Sequence, residues 1–274
     1  MEKNQVLKKE NVNETNQEQA TENKETAEEQ QENTNNDTEE QSQSQIDYIN
    51  IAPEEVKIPI LMYHSISDED PSNNLLVPPA MFEEQMAWLE ANNFTAMNMD
   101  EALEAMRTGK VPKRPVVITF DDGYANNYTS AFPSLKNHKL KATFFVITDG
   151  VDNGYYMSSD NLKEMQDAGM SIENHTANHL ELNNLSKTDA YESIKRAQDY
   201  LRNVIGSDGN YLCYPVGKYN DETIQIEEEL GIKAAVTTQG GFASINDGLH
   251  TLKRVRISPM SIEGFASIFS EYIN

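Results

Sequence analysis

The chain holds 274 residues, with 22 Lys plus Arg against 45 Asp plus Glu and a formal charge of -23. So acidic a balance argues against a nucleic-acid partner, and a lone cysteine, Cys213, excludes both an internal disulfide and redox chemistry by a CxxC pair. No run approaches the roughly 20 apolar residues of a membrane span, and the opening MEKNQVLKKENVNE has no apolar leader stretch, so a soluble chain is expected.

Residues 1–50 carry 4 Lys against 13 Asp plus Glu and only 9 apolar residues, amid runs such as EEQQENTNNDTEEQSQSQ. A segment that buries so little surface cannot offset its ordering entropy. A disordered acidic tether is therefore expected over 1–50 and one folded domain over 51–274. The tether is either a solubilising tail or a spacer tethering the domain to a membrane or wall.

From residue 58 onward, short β-branched runs alternate with amphipathic stretches. Strands are predicted at 58–63, 94–97, 116–120, 141–147, 170–172, 211–214, 233–237 and 253–257, and helices at 79–91, 99–107, 125–137, 159–168, 187–205, 221–230 and 262–273. In the longest helix Ala190, Ile194, Ala197, Leu201 and Ile205 recur at steps of 4, 3, 4 and 4, a core stripe closed by Gly206. Trp88, Met81, Met86 and Met106 fall on helices and read as packing. Repeated βα units with continuous apolar strands call for a parallel sheet covered by helices, either closed as a barrel or open and doubly wound. Periodicity alone does not separate the two.

Four chemical groups directly follow predicted strands: His64, Asp121-Asp122, His175 and the turn Tyr214-Pro215-Val216-Gly217. In parallel βα architectures the C-terminal strand ends converge on one face, so groups distant in sequence become neighbours there. An isolated Asp-Asp-Gly is most simply a turn. His175 and His179, four apart, reach one ion if their segment is helical or tightly turned, and two His plus a carboxylate suit zinc or a similar cation. The pair lacks the Glu of HExxH, and no GxSxG occurs, which disfavours a metalloprotease of that type and a serine-nucleophile hydrolase.

TFDDGY at 119–124, HTANH at 175–179 and YPVGKYN at 214–220, in this order and behind strands, resemble the signature of polysaccharide deacetylases (NodB homology, carbohydrate esterase family 4). ILMYHSI at 60–66 further resembles the branch that includes poly-N-acetylglucosamine deacetylases of biofilm matrices. The likeness spans residues 58–272. It implies a distorted (β/α) barrel of about seven parallel strands. It also implies metal-dependent deacetylation of a β-linked N-acetylglucosamine polymer, poly-N-acetylglucosamine or peptidoglycan. An O-acetyl esterase and an inactive carbohydrate-binding relative are the alternatives. By motif position Asp122, His175 and His179 would hold a divalent cation, zinc first, with cobalt or nickel fitting the same ligands. Asp121 would be the general base and His64 the acid, histidine being the side chain whose ordinary pKa suits that transfer. The Val216 N–H, after Pro215, would help stabilise the oxyanion. Tyr124 and Tyr214 adjoin this site and are the expected sugar-facing aromatics.

Two departures from the family pattern matter. The family's acid histidine commonly lies in a leucine-x-histidine motif, which Gly248-Leu249-His250 does not reproduce, leaving His250 as the rival to His64. The arginine expected two residues before the proline is Cys213, a small buried group by its strand-end position, so the partner of Asp121 must come from elsewhere, with Arg114 and Arg254 as candidates. His138 reads as a solvated helix-end residue. A polysaccharide substrate outside the cell implies an extracellular or cell-surface protein, and a monomer is expected.

Overall fold

The structure, a computed structural model, describes residues 46–273, so most of the expected tether lies outside the described residues. Seven parallel strands wind in chain order: β1 (Ile60–Tyr63), β2 (Pro115–Phe120), β3 (Thr143–Val146), β4 (Ser171–Asn174), β5 (Tyr211–Cys213), β6 (Ala234–Gly240) and β7 (Leu252–Arg256). β7 pairs with β1 and β1 with β2, which closes the sheet into a barrel rather than an open one. The predicted strand at 94–97 is outside this ring, lying along the first half of β2 as Thr95–Met97.

Strand alternation explains why these strands read as unbroken apolar runs. Ile60, Val117, Phe145, Tyr211, Val236 and Leu252 pack with one another inside the barrel. Their neighbours Leu61, Ile118, Phe120, Phe144 and Ile172 point outward into the helical layer. Both faces are buried, so both positions of the period are apolar.

The helices are α1 (Pro79–Ala91), α2 (Met99–Thr108), α3 (Phe132–Asn137), α4 (Ser159–Asp167), α5 (Lys187–Ile205), α6 (Asp221–Leu230) and α7 (Ile262–Ile268), followed by a last short turn of helix, α8 (Ser270–Ile273). Between β6 and β7 the chain makes only a short 3-10 turn, Ile245–Asp247, where a regular barrel would place a helix. α5 buries Ala190, Ile194, Ala197 and Leu201 and stops at Gly206, which takes the left-handed conformation. Trp88 packs against Phe94, Phe265 and Phe269, joining α1 to α7. α2 closes the barrel floor: Met99, Leu103 and Met106 join the interior cluster, and Asp100 accepts hydrogen bonds from Tyr211 and Lys233 at strand starts.

Three local features differ from the sequence reading. Tyr48–Asn50, assigned by composition to the tether, pair antiparallel with Lys110–Pro112 just after α2. That hairpin-like clamp needs glycine at 109, where φ is 76° and a Cβ would lie 2.0 Å from the Ile51 carbonyl oxygen. The helix expected over 125–137 begins as a π-helical turn, Asn127–Ala131, in which the Phe132 N–H reaches back to the Asn127 carbonyl. Pro133, which has no N–H to offer, follows at once, and a widened turn is how the chain absorbs it. His138 is not a solvated histidine. Its ring is clamped between Glu90 (Nδ1, 2.6 Å) and Glu83 (Nε2, 2.8 Å), both on α1.

Candidate active site

The candidate catalytic residues sit at the C-terminal ends of the strands. Asp121 and Asp122 leave β2, His64 leaves β1, His175 leaves β4, and Arg254 rises from β7. The chain bends sharply there: Asp122 (φ 72°), Thr176 (64°), His179 (55°) and Val216 (47°) are four of the seven described non-glycine residues at positive φ. Such backbone costs of order 1–3 kcal/mol per residue and persists where surroundings hold it, commonly at functional sites.

Asp121 is held by Arg254 in a two-pronged ion pair, Nη1 to Oδ1 and Nη2 to Oδ2, each at 2.7 Å. Both side chains are buried. The guanidinium is itself fixed by the Thr237 carbonyl (2.9 Å) and the Thr119 hydroxyl (3.1 Å), and it donates to the Cys213 sulfur (3.3 Å). Burial alone would raise the Asp121 pKa, but Arg254 outweighs it and holds the carboxyl far below the usual range. Arg254, not Arg114, therefore takes the part of the missing family arginine. Arg114 instead donates to the Tyr272 and Asn92 carbonyls.

On one side of Asp121 lies a donor triad. Asp122 Oδ1 is 3.3 Å from both His175 Nε2 and His179 Nε2, and the three ligand atoms lie within 4.8 Å of one another. His175 Nδ1 is 2.7 Å from the Cys213 carbonyl, which fixes that nitrogen as the N–H and leaves Nε2 with its lone pair towards the triad. The histidine segment is a tight turn rather than a helix. Thr176 N–H donates to Asn174 Oδ1, His179 N–H donates to Thr176 Oγ1, and Ser193 of α5 holds Asn178. One carboxylate and two imidazoles with this second layer of hydrogen bonds suit a divalent cation of zinc type. A second donor cluster, Asp121, His175 and Cys213, is less suited, because Arg254 already occupies two of its members.

His64 stands beside Asp121, its Nε2 3.8 Å from Asp121 Oδ2. Burial lowers its pKa, with the Asp121 and Asp122 carboxylates acting in the opposite sense. Its Nδ1 is buried and has no partner among the described residues. The His64 carbonyl accepts from Asn127, while Asn126 accepts from the Ile66 N–H and donates to Ser65. These two asparagines, at the start of the π-helical turn, hold the His64 loop. Sequence reasoning missed them, and the adjacent Asn-Asn just after the Asp-Asp-Gly turn was the only signal. His250 is bonded instead to Glu227 (2.6 Å).

The third motif forms the turn Pro215–Gly217. Gly217 is obligatory, since φ is 71° and a Cβ would lie 2.2 Å from Thr238 Oγ1. Val216 is 52% exposed. Tyr214 corrects an expectation: it is buried outside the barrel, stacked on Tyr219 at 4.5 Å, with its hydroxyl donating to the His250 carbonyl. It alternates with the inward Cys213, so its ring turns away from the site. Tyr124 does border Asp122, and burial followed by that carboxylate raises its pKa.

The chain matches the family model for polysaccharide deacetylase over residues 108–235. It is 40% identical over 218 residues to Bacillus subtilis YxkH, a polysaccharide deacetylase by name, covering 79% of this chain and 76% of that one. Staphylococcus epidermidis poly-β-1,6-N-acetyl-D-glucosamine N-deacetylase is 27% identical over 230 residues, covering 74% and 80%. Among solved structures, Streptococcus pyogenes deacetylase PplD superposes with a TM-score of 0.75 at 36% identity, covering 78% of this chain and 99% of that one. With sequence, fold and these relatives in agreement, the chain belongs to the polysaccharide deacetylase family and is a hydrolase.

Proposed function

We propose that this chain removes N-acetyl groups from a β-linked N-acetylglucosamine polymer, poly-β-1,6-N-acetylglucosamine or peptidoglycan, outside the cell or at its surface. The observation that carries the reading is the flanking of one buried, arginine-clamped carboxylate, Asp121, by a three-donor cation site and by a histidine. The staphylococcal relative named for poly-β-1,6-N-acetyl-D-glucosamine supports the first of the two polymers.

Asp122, His175 and His179 would hold the cation, zinc first and cobalt or nickel next. When bound, it supplies Lewis acidity that polarises an acetyl carbonyl and raises the acidity of water. Asp121 is the base. Arg254 keeps this carboxylate ionised and so free to accept a proton from an attacking water, beside the residues that would hold the cation. The rigid two-point clamp keeps the accepting oxygen oriented through the transfer. The N–H of Val216, on an exposed and conformationally strained turn, is the oxyanion donor by position. His64, beside Asp121, delivers the proton that the leaving amine needs. Its lowered pKa makes the protonated ring a readier donor. His250, paired with Glu227, is left as a residue of the outer layer.

The deciding assay is acetate release from β-1,6-N-acetylglucosamine oligomers and from peptidoglycan by chelated, then zinc-reloaded protein. Reloading should restore release, and Asp121→Asn and His64→Ala should each lower kcat by roughly 10²- to 10⁴-fold at unchanged metal content. Full activity of His64→Ala would remove it as the acid. No release from either substrate by stoichiometrically loaded protein would overturn N-deacetylation.

A further inference from the structure

Among the described residues, seven large hydrophobic side chains are exposed, and they are not scattered. Ile46, Tyr48, Ile49 and Ile273 lie near the two ends of the described chain. The other three, Tyr155 (66% exposed), Val216 (52%) and Leu180 (48%), stand on three different loops at the catalytic end of the barrel. Leu180 follows the cation-site residue His179, Val216 is the oxyanion donor, and Tyr155 touches Tyr124 beside Asp122. Apolar surface left open around a polar site is the mark of a ligand-binding rim.

Tyr155 is the member whose exposure is most deliberately built. Its ring meets Tyr124 edge-on (5.5 Å, 90°) and Tyr156 edge-on (5.1 Å, 88°), while Tyr124 and Tyr156 stack on each other (5.5 Å, 15°). The backbone beneath is pinned. Asn153 Oδ1 accepts from the N–H groups of both Tyr155 and Tyr156, the Tyr155 carbonyl accepts from Ala125, and Gly123 accepts from Met157. Gly150 lies so close under Tyr156 that a Cβ would come within 2.5 Å of its ring. The loop is thus stitched directly to the Asp-Asp-Gly-Tyr turn, and the entropy of ordering an exposed aromatic is spent before any ligand arrives.

We infer that Tyr155 is a stacking platform for a sugar ring next to the one being deacetylated, with Leu180 and Val216 as apolar flanks for the rest of the chain. This deepens the proposed function and rests on it. A β-linked N-acetylglucosamine presents its axial C–H groups on a ring face, which packs on an aromatic face as other apolar surface does. Tyr124, already against Asp122, adjoins the reacting residue, and Tyr155 stands one ring further out. The platform therefore makes the enzyme selective for polymer over monosaccharide.

The test compares full-length, metal-loaded wild type with Tyr155→Ala and Tyr155→Trp on N-acetylglucosamine, its β-1,6-linked pentasaccharide and a small acetyl ester. Tyr155→Ala should raise KM for the pentasaccharide roughly three- to tenfold with kcat retained, and leave the monosaccharide and the ester unchanged. Tyr155→Trp should restore the pentasaccharide KM. An unchanged pentasaccharide KM, or an equal loss on all three substrates, overturns the platform while leaving deacetylation intact. Calorimetric titration of the pentasaccharide into the same proteins is independent of turnover. Weaker binding by Tyr155→Ala supports the platform even if wild type releases no acetate, and equal binding overturns it.

Discussion

At the residue scale, the departure at position 213 is compensated from another strand. A cysteine on β5 leaves room beside Asp121, and Arg254 fills it from β7, bonding the carboxylate with two donors and the cysteine sulfur with one of them. A buried carboxylate this close to an imidazole needs a fixed counter-charge, and only a planar fork fixes both of its oxygens. Lysine, a point charge on a flexible stem, preserves the charge and loses the fork. Arg254→Lys is therefore expected to bind metal as wild type does, measured by elemental analysis, and to lose roughly 10- to 100-fold in kcat. A variant with wild-type kcat would make Arg254 a stability residue alone. Arg254→Ala is expected to fold poorly, because an uncompensated buried carboxylate costs about 3–5 kcal/mol.

At the scale of elements, the helical layer is fastened by a histidine whose role depends on pH. His138, at the end of α3, bridges Glu83 and Glu90 of α1, and Ser134 also bonds Glu83. Burial lowers its pKa and the two carboxylates more than reverse that, leaving it raised. A raised folded-state pKa means stability that is fully present below the unfolded value near 6.5 and is lost as pH rises through the folded value. The carboxylates are half exposed, so the contribution is at most about 1 kcal/mol. His138→Gln is expected to melt below wild type at pH 6, with the gap closing by pH 9. A gap constant across that range would show packing rather than charge. The π-helical turn before α3 matters in the same way, since it sets where Asn126 and Asn127 meet the His64 loop.

At the scale of the whole molecule, the barrel separates its labours by end. The floor carries α2 and the clamp formed by Tyr48–Asn50 and Lys110–Pro112, and the opposite end carries every group of the proposed chemistry. Removing residues 1–45 is expected to leave the melting temperature and activity unchanged, whereas removal through Asn50 exposes the Lys110–Pro112 strand and lowers the melting temperature. Equal melting of the two truncated proteins would make the clamp dispensable. Among the described residues no helix is long and apolar enough to cross a membrane.

Much of this was determined locally and is therefore legible in the sequence. Strand positions and helix spans follow from apolar periodicity and caps such as Gly206. The ordered motifs around Asp121, His175 and Pro215 put the candidate residues at strand ends because parallel βα connections bring such groups to one face. What the tertiary structure decided was each feature set by contacts across the ring. Closure through β7 on β1 is one, and the approach of Arg254 to Asp121 is another, since Arg254 lies on β7 while Arg114 precedes β2, at the far end of the strand that Asp121 follows. The turning away of Tyr214, the clamping of His138 between two α1 carboxylates and the ordering of Tyr48–Asn50 are of the same kind. Periodicity reports whether a side chain is buried; which partner it meets depends on residues tens to more than a hundred positions away, and that is fixed only when the sheet closes.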